Sequence, residues 1–139
     1  MAGRNLIVKA ITVRQPWAWA IMHLGKDVEN RTCNIAGSYR GPLVIHAANT
    51  GASFDSKHPT LWPFDARHAF GVALGIVDLI ESHESWHCCR GSEYCSRWAE
   101  AYSQHLTLAN PRPFAEPIPY RGRLGLWEFP DELIPEVGR

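Results

Sequence analysis

The chain has no net charge. Its fourteen lysines and arginines are cancelled by fourteen aspartates and glutamates, and seven histidines are the only reserve of charge near neutrality. Without a global pull toward a polyanion, any contact with nucleic acid must come from a local patch. Long apolar runs are missing as well: the N-terminal "MAGRNLIVKAITV" carries an early charge and turns apolar, but Lys9 breaks the run before secretory or membrane length. These two absences predict a soluble, cytoplasmic protein with no membrane partner. Cysteine is scarce. Of four, three crowd together as Cys88, Cys89 and Cys95, which excludes the even, spread framework of a secreted disulfide scaffold. A regular alternation of strand and helix is also lacking, which argues against a doubly wound parallel sheet.

What is present suits a single domain, residues 1–139, with a modest core. "LIVKAITV" (6–13) is rich in β-branched residues and reads as a strand. Pro16 fits the first turn of a helix, where its missing N–H is tolerated. Trp17, Ala20, Ile21 and Leu24 then recur at the spacing of one apolar helix face until Gly25 stops the helix. Further strands are predicted for "VENRTC" (28–33), "PLVIHAA" (42–48), "GVALGIVDLIESHE" (71–84) and "GLWEF" (125–129), with Gly71 and Gly75 marking a bulge or a close approach of another backbone. "NTGASFDSKHPTLWPF" reads as a long surface loop and "YCSRWAEAYSQ" (94–104) as a second helix. "NPRPFAEPIP", with four prolines in nine positions, must be extended or turning. The expected fold is α+β, a small, partly closed β-barrel with short peripheral helices.

Several residues are candidates for chemistry. Lys26, Asp27, Glu29 and Arg31 follow the greasy "PWAWAIMHLG" at once; from spacing alone they suit either a solvated helix exit or a helix that holds a charged site. "YRGPLVI" (39–45) and "YRGRLGL" (120–126) repeat a Tyr-Arg-Gly turn before an apolar strand. Turn composition explains the echo, and the alternative places Arg40 and Arg121 at one opening as an anion clamp. Trp17 suits a base-stacking wall or a core anchor, whereas Trp127, inside an apolar strand, suits the core. His46 sits where a strand is expected to open into the long loop. His83, His87, Cys88, Cys89 and Cys95 offer more than the four donors zinc needs. Their spacing matches neither paired CxxC motifs nor an ordinary finger, so reduced thiols, with no metal and no cofactor, are expected.

"ITVRQPWAWAIMHLGKDVENR", "YRGPLVIHAA", "GVALGIVDLIE" and "LANPRPFAEPIPYRGRLGLWEF", in that order, resemble the ASCH domain family, and the likeness spans nearly the whole chain. Its most specific part is Lys-x-x-Glu-x-Arg, matched by Lys26, Glu29 and Arg31 and preceded by Gln15-Pro16-Trp17. The resemblance implies a PUA-like β-barrel, a fold shared with readers that hold a flipped base. Together with the readings above, it makes Gln15, Trp17, Lys26, Glu29, Arg31, Arg40, His46 and Arg121 the candidate ligand-binding residues. The expected partner is RNA, single-stranded DNA or a modified nucleoside. Some ASCH-like proteins are amidohydrolases on acylated cytidine nucleosides, and ribonuclease activity is also attributed to the family. The amidohydrolases carry Lys-x-x-Thr, so here only Lys26 and Glu29 could be catalytic, with the carboxylate as general base. A protein-interaction module is the third alternative. The chain departs from the family at Leu24, where glycine is usual, and at Cys33, where many relatives look tryptophan-like.

Overall fold

The computed structural model describes residues 8–88 and 95–136. The β-branched opening becomes strand β1 (Val8–Gln15), followed by helix α1 (Trp17–His23), β2 (Val28–Arg31), β3 (Gly41–Gly51), β4 (Val72–Glu84), the single turn α2 (Ser85–Cys88), β5 (Gln104–Pro119) and β6 (Leu126–Phe129). All six strands join one mixed sheet in the order β2-β5-β4-β3-β1-β6. β1 runs parallel to β3 and every other pairing is antiparallel.

The sheet buries both faces, which is why its central strands read as almost unbroken apolar runs. Along β3, Leu43, Ile45 and Ala47 join Ile11 and Val13 of β1 and Ala18, Ile21 and Met22 of α1 on one side. Val44 faces the other way, with Val8 and Ala10 of β1 and with Phe114, Trp127 and Phe129. Trp127 is thus a core anchor, as its strand context predicts.

Three expectations are corrected. The sheet is not closed into a barrel: β2 and β6 are its two ends, each four residues long and paired along one edge only. The helix expected over 94–104 does not form among its described residues, which turn and bend instead. There Asn30 of β2 takes the Trp98 carbonyl (2.9 Å) and the Glu100 N–H (2.9 Å), groups a helix would pair internally, and Tyr102 adopts φ +56°. Leu24, expected on the apolar helix face, is exposed just beyond α1. The proline-rich stretch takes the extended one of its two expected forms, inside β5. β2 pairs with β5 only as far as Thr107, so the prolines lie where one edge of β5 has no partner strand, and the pairing with β4 shifts register three times. An edge with bulges is where proline's missing N–H is tolerated. No helix among the described residues is long and apolar enough to cross a membrane.

Gly75 marks the close approach its position predicts. A Cβ there would lie 2.5 Å from the Arg112 carbonyl oxygen, 2.6 Å from Met22 Sδ and 2.7 Å from the Pro113 Cα. Gly75→Ala should therefore destabilise the protein by about 1–3 kcal/mol, read as a lower urea midpoint with an unchanged slope. A neutral result would mean that β5 and α1 do not meet at this point.

Candidate functional site

The site begins where α1 ends. Gly25 takes φ +71°, a left-handed conformation that glycine adopts without strain, and the Lys26 N–H folds back to the Ala20 carbonyl (3.1 Å). This turn sends the Lys26 side chain inward. Its Nζ donates to the Val28 carbonyl and to Glu29 Oε1 (3.0 Å). Arg31 Nε donates to the other Glu29 oxygen (3.1 Å), and Arg31 Nη2 reaches the Thr12 carbonyl on β1 (2.7 Å). Lys26 is 5% exposed and Glu29 8%. A charge so buried is tolerated only when paired and hydrogen-bonded, so Lys26 and Glu29 form a desolvated ion pair, with the partly exposed Arg31 at its edge, and not a solvated helix exit.

Beside this network lies a cleft of about 150 Å³ lined by Trp17, Lys26, Glu29, Asn30, His58 and Trp98, with Asp55, Lys57 and Arg97 also contributing. Pockets for drug-sized ligands run from about 300 to 1,000 Å³; this one suits a single ring system. Its aromatic wall is built from three places in the chain. Trp17 meets His58 edge-on (centroids 5.4 Å, 85°) and Trp98 likewise (6.4 Å, 80°), while His58 lies parallel on Trp98 (4.6 Å, 5°). Lys26 Nζ is 5.9 Å from the Trp17 ring centroid and the Arg97 guanidinium 4.8 Å from that of Trp98. Partial burial works against the charge on Asp55, but the Lys57 N–H (2.8 Å) and the His58 ring (3.3 Å) outweigh it and hold the carboxyl below the usual range. The cleft therefore offers a cluster of aromatic rings, a paired cation and carboxylate, and two exposed basic side chains.

The chain matches no family model and no curated protein.

Of the residues expected from the sequence, Trp17, Lys26, Glu29 and Arg31 come together. Gln15 does not line the cleft: it is fully buried, its Oε1 accepting from the Trp19 N–H (2.9 Å) and its Nε2 donating to the Ala69 carbonyl (2.8 Å). It anchors the start of α1 to the loop before β4. His46 lies inside β3, not at its end, and is 1% exposed. Nε2–H donates to the Tyr120 carbonyl (2.6 Å), which leaves Nδ1 to accept from the Thr12 hydroxyl (3.4 Å). Arg40 and Arg121 are both exposed but are not brought together. Arg121 lies beside His46, where Gly122 packs on the imidazole, whereas Arg40 precedes β3 by one residue, six positions and about 20 Å of strand away.

His58, Trp98, Asp55 and Arg97 were missed. Their signal is an aromatic next to a base in a polar stretch, Lys57-His58 and Arg97-Trp98. The expected surface loop accordingly folds back: Leu61 is buried, and Trp62 meets Trp17 edge-on (5.4 Å). In the histidine–cysteine segment, His83, Cys88 and Cys95 converge with His105. His87 is exposed, packed against Trp86, and Cys89 lies outside the described residues.

Two predictions follow from burial. Glu29→Ala strands Lys26 in the interior and should destabilise by about 3–5 kcal/mol, whereas Lys26→Met combined with Glu29→Leu should recover most of that loss; urea denaturation of wild type, single and double variants measures both. Burial also pushes the pKa of His46 and of His68 down. The folded state then binds fewer of these protons than the unfolded chain, so stability is full above the ordinary histidine pKa near 6.5 and declines as pH falls through the lower folded values. Urea midpoints should drop between pH 7.5 and pH 5.5, and His46→Gln should flatten that slope by up to about 1.4 kcal/mol per pH unit.

Proposed function

We propose that the chain is a nucleic-acid- or nucleotide-binding domain of the ASCH, PUA-like type, which takes one base of RNA or single-stranded nucleic acid into the Trp17–His58–Trp98 cleft. The observation that carries this reading is the aromatic wall standing beside the buried Lys26–Glu29 pair. Aromatic faces bind any base by stacking, worth about 1–3 kcal/mol per base. A lysine and a carboxylate at the ring edge supply a donor for a carbonyl and an acceptor for an exocyclic amine. Exposed Lys57 and Arg97 flank the cleft where a phosphate would enter. A neutral chain with this local arrangement fits a one-base site better than a long groove that tracks phosphates.

Binding is favoured over hydrolysis by the state of Glu29. Each of its oxygens already accepts from a cation, Lys26 on one side and Arg31 on the other. That is the setting of a carboxylate that positions its neighbours, whereas a general base must receive a proton from water.

Titration with nucleosides and with short single-stranded RNA and DNA, followed by tryptophan fluorescence, tests the proposal. His58→Ala should weaken binding of the preferred ligand about tenfold. Arg97→Ala should reduce the salt dependence of oligonucleotide binding by about one phosphate contact and leave a free nucleoside's affinity unchanged. Glu29→Gln should shift base preference. If the same substitution instead abolished turnover of N4-acylated cytidine while binding persisted, the hydrolase would replace the binding module. Wild-type protein that bound no base-containing ligand would end both.

A further inference from the structure

β4 and β5 are joined by an excursion that returns so that His83 and His105 face each other as registered partners, with ring centroids 5.2 Å apart. The excursion adds two thiols to this histidine pair. Cys88 Sγ lies 3.4 Å and Cys95 Sγ 3.5 Å from His105 Nδ1. One donor atom from each of His83, Cys88, Cys95 and His105 lies within 4.8 Å of those of the other three.

We propose that these four residues hold a structural zinc ion that fastens the β4–β5 connection to the sheet. Zinc–sulfur and zinc–nitrogen bonds of about 2.3 and 2.0–2.1 Å at tetrahedral angles place sulfur and nitrogen about 3.6 Å apart. The two sulfur–nitrogen distances to His105 already match, and the other pairs, all within 4.8 Å, need at most about 1.5 Å of contraction to reach tetrahedral separations. Two thiolates and two imidazoles are a closed donor set, with no position left for a catalytic water. Their two negative charges cancel the ion's, which suits a site whose His105 is fully buried.

The surroundings of both histidines orient them as ligands. His105 Nε2–H donates to the Glu100 carbonyl (2.6 Å), so Nδ1 is the lone-pair nitrogen, and it is the atom both sulfurs approach. His83 Nδ1 is held by Glu81 Oε1 (2.5 Å), which leaves Nε2 as its ligating atom. That Nε2 is buried and has no hydrogen-bond partner among the described residues, a state that costs about 1–3 kcal/mol in a nitrogen with nothing to bind. A carboxylate behind one histidine and a backbone carbonyl behind the other are the usual outer partners of metal-bound imidazoles.

The site also has a structural task. Cys95 stands three residues before Trp98, and Ser96 Oγ donates to Asp27 Oδ1 (2.5 Å), so an ion at Cys95 and this bond at Ser96 would pin the strand-free segment that supplies the aromatic wall. The zinc proposal does not depend on what that wall binds.

Protein purified without chelator, with thiol reductant present, is analysed for metal and then reconstituted with cobalt(II). One zinc per chain is expected, with thiolate-to-cobalt charge-transfer absorption and the intense ligand-field bands of a tetrahedral site. Cys95→Ser and His105→Asn should each lose that spectrum, His87→Ala should retain it, and Glu81→Gln should weaken zinc about 10–100-fold. Chelation should lower the melting temperature of wild type. The spectrum of wild type needs no variant to fold. Reduced wild-type protein that takes up neither zinc nor cobalt overturns the proposal, as does a Cys95→Ser variant with undiminished zinc affinity.

Discussion

The Glu29 carboxylate is the point on which the site depends. It lies almost out of water between Lys26 and Arg31, and neither it nor Lys26 could stay there alone. Through Lys26 it fixes the turn after α1; through Arg31 it reaches the Thr12 carbonyl of β1. β2 is a sheet end and β1 is the next-to-last strand at the opposite end, so a side-chain relay spans a gap that no backbone ladder crosses. The domain thus draws its sheet ends together without closing a barrel, and the opening beside the relay is the cleft.

The cleft's walls are then placed by polar groups on and just before the same short strand. Asn30, next to Glu29, takes backbone groups of Trp98 and Glu100, while Asp27 takes Ser96. Val28 packs with Trp98 and Ala20 in a small cluster of its own. Five consecutive residues, Lys26 to Asn30, therefore set both the charged floor and the position of an aromatic wall that arrives some seventy residues later. The second wall residue, His58, is carried in by a loop whose Trp62 packs on Trp17. Burial of aromatic surface and capture of loop backbone act on the same few side chains, which links the site's shape to the stability of its surroundings.

The opposite border of the 95–103 segment is made by the His83–His105 pair and the two cysteines. Here the sheet holds two histidines side by side at fixed register, and Cys88 and Cys95 approach His105 from the connection between the two strands. The segment between Cys95 and Gln104 is thereby held from both ends: by the sheet's polar side chains at one and by the strand register at the other.

Local physics made part of this legible from the sequence. The helix spacing of Ala20 and Ile21, the glycine stop at residue 25, and the apolar runs of β1, β3, β4 and β6 all depend on neighbours within a few positions. Lys26, Glu29 and Arg31 were legible for the same reason, being near one another in the chain. The open sheet and the failure of the 94–104 helix were not, and the proline stretch was legible only as extended or turning, because each is decided by partners far away: the absence of a β2 partner beyond Thr107, and Asn30 taking backbone groups that a helix would use. His46 and Gln15 turned from site candidates into buried, satisfied anchors once their acceptors, Tyr120 and Ala69, came into reach. His105 could not be joined to His83, Cys88 and Cys95 by spacing at all. It reaches them through antiparallel pairing, since a ladder places side by side residues that the chain separates by a whole excursion.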